Sequence, residues 1–230
     1  MQIISVINQK GGVGKTTTVI NLAAGLSKKG KKILVIDLDP QGNATTGLGL
    51  SNIENSSDTI YGVLNGSKGI FEVIKKTDFE NLDIITSNVD LSGLEVETAG
   101  DSKRAFILKD QLTLYLKDSR DNYDYIFIDC PPSLSLLTVM ALVASFSLVV
   151  PLQTEFFALE GLTQLMKTIE RIKTNLNKEL KIRGILLTMY DKRNKLSSQV
   201  EKEARDYFSE KVYSTVIPRN VRLSEASSHG

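Results

Sequence analysis

The stretch INQKGGVGKTTT, residues 7–18, places two lysines in a glycine-rich turn between a β-branched run and a helical pattern. Glycines let backbone N–H groups close on phosphate oxygens, and the N-terminus of the following helix adds its dipole to the attraction. Lys15 stands where a phosphate-binding loop has the lysine that reaches the β- and γ-phosphates, and the Thr16 hydroxyl can ligate Mg²⁺. The predicted phosphate-binding residues are Gly11, Gly12, Val13, Gly14, Lys15, Thr16 and Thr17. Lys10 has no fixed role in such a loop.

Carboxylates at the ends of apolar runs could complete this chemistry. Asp129 ends the run YIFID, and an aspartate at the tip of a strand beside the loop is placed to hold Mg²⁺, directly or through water. In DLDPQGNAT, strand alternation sends Asp37 and Asp39 to the same side. Two carboxylates beside a triphosphate are electrostatically costly unless they coordinate the metal or position the attacking water. We therefore count Asp37 with Thr16 and Asp129 as candidate Mg²⁺ ligands, and Asp39 as a candidate catalytic residue. The alternative, a turn and helix cap, is supported by the residues PQGN.

The apolar runs indicate the scaffold that would position these residues. Runs of strand length alternate with helical patterns, which is typical of a parallel sheet covered by helices on both faces. Strands are predicted at 3–8, 32–39, 82–86, 125–130, 146–152 and 182–189, and helices at 16–30, 103–118, 134–144, 156–174 and 196–210. We predict an α/β fold with a doubly wound, mostly parallel sheet, in one domain spanning residues 1–230. The Gly/Asn/Ser-rich segment 42–69 is predicted to be the most mobile loop.

Composition favours a soluble globular protein, with 41% hydrophobic and 24% charged residues among 230. The single cysteine, Cys130, excludes an internal disulfide and a cysteine-based metal site, and it fits a reducing compartment. The stretch between Asp129 and Glu155 carries no charge and is long enough to be a membrane-span candidate. Its prolines and scattered Ser and Thr favour a buried helix at about 134–144 and a buried strand at about 146–150.

The net charge of +1 is unevenly distributed along the chain. Residues 161–222 hold 14 Lys and Arg against 7 Asp and Glu, whereas residues 77–102 hold seven acidic side chains and no basic one. Solvated helix faces account for most of these charges. The alternative is a basic face that binds a polyanion, and charge alone leaves both interpretations open.

Several motifs together resemble the ParA/Soj family of chromosome- and plasmid-partitioning ATPases. They are KGGVGKTT with its early lysine, DLDPQGNAT, IDCPPSL, ALEGL and IPRNVRLSEA, and the match runs along essentially the whole chain. The family belongs to the deviant Walker A class of P-loop ATPases. DPQGNAT resembles ParA rather than the related cell-division-site regulator MinD.

The resemblance implies Mg²⁺-dependent hydrolysis of ATP to ADP and phosphate by a nucleotide-sandwich homodimer. Lys10 would cross the interface to the partner's nucleotide, which makes it both a nucleotide-binding and a catalytic residue. Lys15 would bind phosphate and would also be a catalytic residue, and Thr16 maps to Mg²⁺ binding. Asp129 maps to the Mg²⁺ side, and Asp39 to the hydrolytic water. The ATP-bound dimer would bind double-stranded DNA without regard to sequence. A ParB/Spo0J-type centromere-binding protein would stimulate hydrolysis and so release the protein from DNA.

The resemblance also implies a cytoplasmic, nucleoid-associated protein with no membrane partner. The DNA-contacting arginines of the family match Arg193, in MYDKRNK, and Arg222, in IPRNVRLSEA, and both lie in the basic half of the chain. Contacts from Lys and Arg to phosphates give sequence-independent, salt-sensitive binding. The candidate adenine pocket comprises Met189, Pro218, Arg219 and Asn220, where a plain turn is the alternative.

The C-terminal sequence departs from the family pattern. SEASSHG has Ser227 where the family has proline, and the chain is expected to lack the final strand and helix of its relatives. Two other functions stay open. A MinD-like membrane-cycling ATPase would need a C-terminal amphipathic helix, and a metabolic P-loop kinase or ligase would need a small-molecule pocket, for which no motif is evident.

Overall fold

A computed structural model of the chain shows one eight-stranded sheet with helices packed against it. The structure describes residues 1–50, 55–118, 122–220 and 222–223. The strands are β1 (Gln2–Val6), β2 (Ile33–Asp37), β3 (Ile74–Lys76), β4 (Leu82–Ile85), β5 (Tyr125–Asp129), β6 (Ser147–Gln153), β7 (Lys181–Tyr190) and β8 (Val212–Pro218). The helices are α1 (Lys15–Ser27), α2 (Asn43–Gly47), α3 (Ile60–Leu64), α4 (Ile70–Val73), α5 (Leu94–Glu97), α6 (Ile107–Asp118), α7 (Leu136–Ala144), α8 (Ala158–Asn175) and α9 (Lys195–Phe208).

The sheet has the order β3-β4-β2-β5-β1-β6-β7-β8, and every pairing is parallel except that of β3 with β4. This confirms the predicted doubly wound, mostly parallel topology. β1 lies at the centre, with β5 on one side and β6 on the other. Ligands of such sheets bind outside the carboxyl ends of the strands, where the connections diverge. The loop after β1 opens at that place.

Both faces of the sheet are covered, as the continuous apolar strands predict. Along β2, Leu34 and Ile36 belong to one buried cluster, whereas Ile33 and Val35 belong to another on the opposite face. All four side chains are fully buried. A strand with core on both sides is apolar along most of its length, and β2 has its only polar residue, Asp37, at its end.

The uncharged stretch after Asp129 forms two buried elements, as predicted. α7 supplies a helix that is buried at nearly every position, and β6 follows it into the middle of the sheet. No helix in the described parts of the chain is long and apolar enough to cross a membrane.

The prediction of a mobile loop at 42–69 was wrong where that segment is described. It contains α2 and α3, and Ile60 and Val63 are fully buried. The amide of Ile60 donates to the carbonyl of Thr86 at the end of β4, which ties α3 to the sheet. The backbone of Ser57 leaves no room for a Cβ at Gly62, so this glycine allows close packing. Gly, Asn and Ser here indicate tight turns between packed short helices, which local composition does not distinguish from a loop.

Two strands were missed because each lies at an edge of the sheet. β3 has three residues, and β8 is exposed or half-buried along most of its length. Edge strands need no continuous apolar run, so the pattern that identified the central strands is absent from them. Ser227 and the C-terminal departure from the family pattern lie outside the described residues.

Candidate nucleotide-binding site

The loop between β1 and α1 has a backbone that requires glycine at two positions. Gly12 and Gly14 have φ angles of 71° and 89°, in the left-handed region that favours glycine. Gly14 is the N-cap of α1, and its carbonyl accepts the first helical hydrogen bond, from the amide of Thr18. The loop thus leads directly into a helix N-terminus, whose free N–H groups favour an anion.

Side chains from neighbouring strands anchor this loop. The Thr188 hydroxyl, near the end of β7, donates to the carbonyl of Val13 at 2.9 Å. The Asn8 amide donates to the carbonyl of Pro151 at 2.7 Å, and its oxygen accepts from the amide of Lys10 at 3.0 Å. Neither anchor was predicted from the sequence. The available signal was a polar residue at the carboxyl end of an apolar strand.

Lys15 is buried, with 7% of its surface exposed, and its ammonium group donates to the carbonyl of Lys10 at 3.0 Å. Burial lowers its pKa, and the negative charge of Asp129 partly offsets this effect. A partly desolvated ammonium group held at the loop is suited to a phosphate, which supplies stronger acceptors than a carbonyl does.

Asp129 is fully buried, and neither of its carboxylate oxygens accepts a hydrogen bond of ordinary geometry from a described residue. Burial raises its pKa well above the usual range, and the neighbouring Asp37 adds to the increase. The nearby Thr16 hydroxyl lowers the pKa somewhat. An orphaned buried carboxyl group indicates a missing cation partner.

The donor set around Asp129 fits Mg²⁺ held together with phosphates. Among the described residues, no group of three or more His, Cys, Asp or Glu is arranged to hold a metal ion by itself. Mg²⁺ commonly takes one or two protein oxygens, and water and substrate phosphates supply the others. Thr16 and Asp129 are the residues best placed for that role.

Asp37 makes several hydrogen bonds within the chain. One carboxylate oxygen accepts from the amide and the hydroxyl of Thr45, at 2.8 and 2.7 Å. The other accepts from the amide of Asp39 at 3.2 Å. Burial raises the pKa of Asp37 to about 6, although the bonds from Thr45 act in the opposite direction. This geometry favours the turn-and-cap interpretation of Asp37, and its assignment to the metal stays a prediction.

Asp39 lines the cavity above the loop. It is 6% exposed, and one of its oxygens accepts from the amide of Gln41 at 3.0 Å. The cavity has a volume of about 490 Å³. Predicted site residues that line it are Gly11, Gly12, Gly14, Lys15, Thr16, Thr17 and Asp39. The structure therefore brings the predicted phosphate-binding residues other than Val13, whose side chain is buried, to one space with the predicted catalytic carboxylate.

A second cavity, of about 200 Å³, adjoins the other side of the loop. Predicted adenine-pocket residues that line it are Met189, Pro218, Arg219 and Asn220, and Gly14 and Thr17 also contribute. Met189 has a φ of 51°, a rare conformation for a residue other than glycine. Such outliers concentrate at functional sites. The four residues are thus brought together beside the loop, and their role in binding a base stays a prediction.

Lys10 lies at the rim of the site. Its amine forms an ion pair with the carboxylate of Glu155, and the two side chains are 52% and 31% exposed. Glu155 was not predicted as a site residue. The signal was its position as the first charged residue after the uncharged stretch, just beyond the end of β6.

The two predicted DNA-contacting arginines follow adjacent strands at the same edge of the sheet. Arg193 follows β7 and Arg222 follows β8, and these strands pair. The side chain of Arg193 is 91% exposed, and two of its nitrogens donate to the carboxylate of Asp191 at 3.1 and 3.0 Å. These bonds lower the pKa of Asp191 to about 2. Further exposed cations nearby are Lys192 in the first of these loops, Lys195 at the start of α9 and Arg219 just after β8.

Asp129→Asn should make the nucleotide-free protein more stable at neutral pH, because a neutral amide is cheaper to bury than a carboxylate. We expect about 1–2 kcal/mol, or an increase in Tm of roughly 2–8 °C. The raised pKa of Asp129 determines how the stability of the wild type depends on pH. The contribution of the Asp129 carboxyl group to stability is greatest below its pKa in the unfolded chain, near 4, and is lost as the pH rises towards its pKa in the folded chain. The difference in Tm between variant and wild type should therefore increase with pH.

Asp124→Asn is the control, because a hydrogen bond from the amide of Lys32 lowers the pKa of Asp124. It should give no stabilisation at neutral pH. Thermal unfolding followed by circular dichroism between pH 5 and pH 8 provides the comparison. A lower Tm for Asp129→Asn would contradict the interpretation of Asp129 as an unpartnered carboxyl group.

The chain matches a family model described as an AAA domain over residues 1–182. It is 50% identical over 230 residues to the chromosome partitioning protein ParA of Caulobacter vibrioides, covering 100% of this chain and 85% of that protein. It is 51% identical over 229 residues to the sporulation initiation inhibitor protein Soj of Bacillus subtilis, covering 100% and 88%. A solved structure of cobyrinic acid a,c-diamide synthase from Mycobacterium smegmatis, with bound ATP analog and magnesium, is 34% identical. Its TM-score is 0.87, and the match covers 100% of this chain and 92% of that one.

Proposed function

Because the chain belongs to the ParA/Soj family of partitioning ATPases, we propose that it is an ATP-dependent switch for DNA segregation. ATP binding drives a nucleotide-sandwich homodimer, and the dimer binds double-stranded DNA without regard to sequence. A ParB/Spo0J-type protein stimulates Mg²⁺-dependent hydrolysis, which releases the protein from the nucleoid in the cytoplasm. The observation that carries this proposal is a loop with two lysines in different settings: Lys15 is buried, and Lys10 is half-exposed at the rim.

Nucleotide binding uses groups that the structure leaves available. Lys15 exchanges the carbonyl of Lys10 for phosphate oxygens, and the N–H groups of the loop and of the first turn of α1 donate hydrogen bonds to the remaining phosphate oxygens. Thr16 and Asp129 would hold Mg²⁺, which would supply positive charge beside the phosphates. The base occupies the cavity that Met189 and the residues after β8 line.

Hydrolysis depends on Asp39 in this proposal. The Asp39 carboxylate lines the phosphate cavity, and its low exposure limits its contact with bulk water. A carboxylate in that position orients a water molecule and accepts its proton as the water attacks. Asp37 helps to position Asp39, because the Asp37 carboxylate accepts a hydrogen bond from the amide of Asp39 and so stabilises the turn.

DNA binding uses the exposed cations that follow β7 and β8. Arg193 is held by Asp191 in the free chain, and its high exposure allows it to exchange that partner for a DNA phosphate. Arginine binds phosphate bidentately, and such contacts carry no sequence information. A dimer presents the same cations twice, which increases affinity and the salt dependence of binding.

Arg193→Ala combined with Arg222→Ala should abolish DNA binding at physiological salt, leave weak binding measurable at low salt, and leave ATP-driven dimerisation intact. A dimer of this variant lacks four cations, so the slope of log affinity against log salt should fall by up to about 3.6. Electrophoretic mobility shifts across a salt series measure this slope. Lys28→Ala with Lys178→Ala removes the same charge from exposed positions away from the loops after β7 and β8, and it is the matched control. Loss of dimerisation in the arginine variant would show that these residues do something else.

A DNA-binding titration with ATP, with ADP and without nucleotide, at two salt concentrations, tests the whole proposal. We expect binding with ATP only, and a marked loss of binding at the higher salt concentration. Equal binding in all three nucleotide states would contradict the switch. Absence of DNA binding in every state would contradict the DNA-segregation role.

A second candidate is an amide-forming ligase, which the likeness to the Mycobacterium smegmatis diamide synthase favours. Such an enzyme couples ATP hydrolysis to activation of a substrate carboxylate and needs a nitrogen donor. A partitioning ATPase hydrolyses ATP with neither. Steady-state ATP hydrolysis by the purified protein, with and without DNA and in the absence of any acid or amine donor, therefore separates the two candidates.

A further inference from the structure

We propose that Glu155 is a positioning residue: it keeps the Lys10 side chain in an ion pair within its own chain until Lys10 contacts the nucleotide of a second, ATP-bound copy. This inference rests on the proposed function, because it assigns a regulatory step to the same dimer. The observation behind it is the ion pair between Lys10 and Glu155, which joins the loop after β1 to the segment after β6.

The backbones on both sides of this ion pair are fixed. On one side, the amide of Lys10 donates to the Asn8 side chain at 3.0 Å, and Asn8 is itself bonded to β6. On the other side, the amide of Glu155 donates to the carbonyl of Gln153 at 2.9 Å, and its carbonyl accepts from the amide of Ala158 at 3.1 Å. Because β1 and β6 are neighbours, both segments leave the sheet at the same edge. The contact therefore follows from the fold rather than from two freely moving side chains.

The ion pair directs Lys10 towards its own chain. While its amine contacts Glu155, the side chain is not extended towards the nucleotide of another copy. Both side chains are partly exposed, and ion pairs of this kind change an equilibrium by only about two- to five-fold. A triphosphate carries more charge than a carboxylate and can displace it. The pair is thus strong enough to bias Lys10 and weak enough to be exchanged.

Symmetry doubles the effect, because each sandwich dimer must break two such pairs. Removing Glu155 should therefore make the dimer about 4- to 25-fold tighter. Since the pair is partly exposed, salt screens it, and the gain should shrink at high ionic strength. Loss of any negative charge near a nucleotide site would also favour dimerisation slightly, so the experiment needs a charge-matched control.

The test compares Glu155→Gln with Glu160→Gln in sedimentation equilibrium with a non-hydrolysable ATP analogue. Glu160 is an exposed carboxylate at the start of α8, and it forms no ion pair with a described residue. We expect a 4- to 25-fold lower dimer dissociation constant for Glu155→Gln at low salt and a change below about two-fold for Glu160→Gln. A weaker dimer for Glu155→Gln would overturn the proposal, because it would place Glu155 across the interface instead.

A second measurement examines the ion pair in the nucleotide-free monomer. Acetylation of Lys10, quantified by mass spectrometry against Lys28 in the same sample, should be about two- to five-fold faster in Glu155→Gln. Unchanged labelling would overturn the intrachain role of Glu155. If the wild type stays monomeric with the ATP analogue, the proposed function fails and this switch with it. If it dimerises normally while the labelling of Lys10 is unchanged, the inference about Glu155 fails alone.

Discussion

Asp39→Ala should reduce ATP hydrolysis by on the order of 100- to 10,000-fold while ATP binding changes little. The carboxylate lines the phosphate cavity but forms no ion pair with Lys15, so its removal leaves the described phosphate-binding groups in place. With ATP bound and no turnover, the protein should accumulate as a dimer that stays on DNA. Phosphate release, nucleotide affinity and dimer fraction, measured on the same preparation, check the three parts of this result.

Asp39→Asn is the informative companion variant. Its side-chain oxygen can still accept from the amide of Gln41 and so preserve the turn, but it cannot accept a proton from water. It should hydrolyse ATP as slowly as Asp39→Ala does. Asp37→Ala should behave differently, because it leaves the buried groups of Thr45 unsatisfied and costs about 1–3 kcal/mol of stability. Normal hydrolysis by Asp39→Ala would exclude the catalytic role of Asp39.

The central sheet and the phosphate loop could be predicted from the sequence because both are local patterns. A strand covered on both faces is apolar along most of its length, and β2 and β5 show this pattern up to their final aspartates. Two positive φ angles within three residues require glycine, so Gly12 and Gly14 identify the loop without any tertiary information. Asp129 could be predicted for a similar reason, since it is the polar residue that ends the apolar run YIFID.

The contacts that complete the site could not be predicted, since they join distant parts of the chain. Thr188 bonds to Val13 across 175 positions in sequence, and Asn8 bonds to Pro151 across 143. Their pairing depends on the strand order, in which β6 and β7 follow β1 directly. Asp37 bonds to Thr45 only eight positions away, but this contact depends on the turn that places the start of α2 beside the end of β2.

Lys10→Ala should retain much of the ATP affinity and lose ATP-driven dimerisation. Lys15, Thr16 and the loop N–H groups stay in place in the variant, so each chain can still bind its own nucleotide. The dimer loses a charge-assisted hydrogen bond at both symmetric sites, or about 3–6 kcal/mol in total, which weakens it by on the order of 10²- to 10⁴-fold. The variant should fold normally, because its only loss in the monomer's described contacts is the partly exposed ion pair with Glu155 and the side chain itself.

Mixing variant chains tests whether Lys10 acts on the nucleotide of the other chain. Lys15→Ala chains should not bind nucleotide, and Lys10→Ala chains should not dimerise, so neither preparation alone should hydrolyse ATP. A heterodimer of the two has one site in which ATP is bound by an intact Lys15 and reached by the intact Lys10 of the other chain. Partial recovery of hydrolysis on mixing is therefore expected only if Lys10 acts across the interface. If Lys10→Ala alone dimerises and hydrolyses ATP normally, Lys10 does not have this role, and the intrachain ion pair with Glu155 would be a surface contact without consequence for assembly.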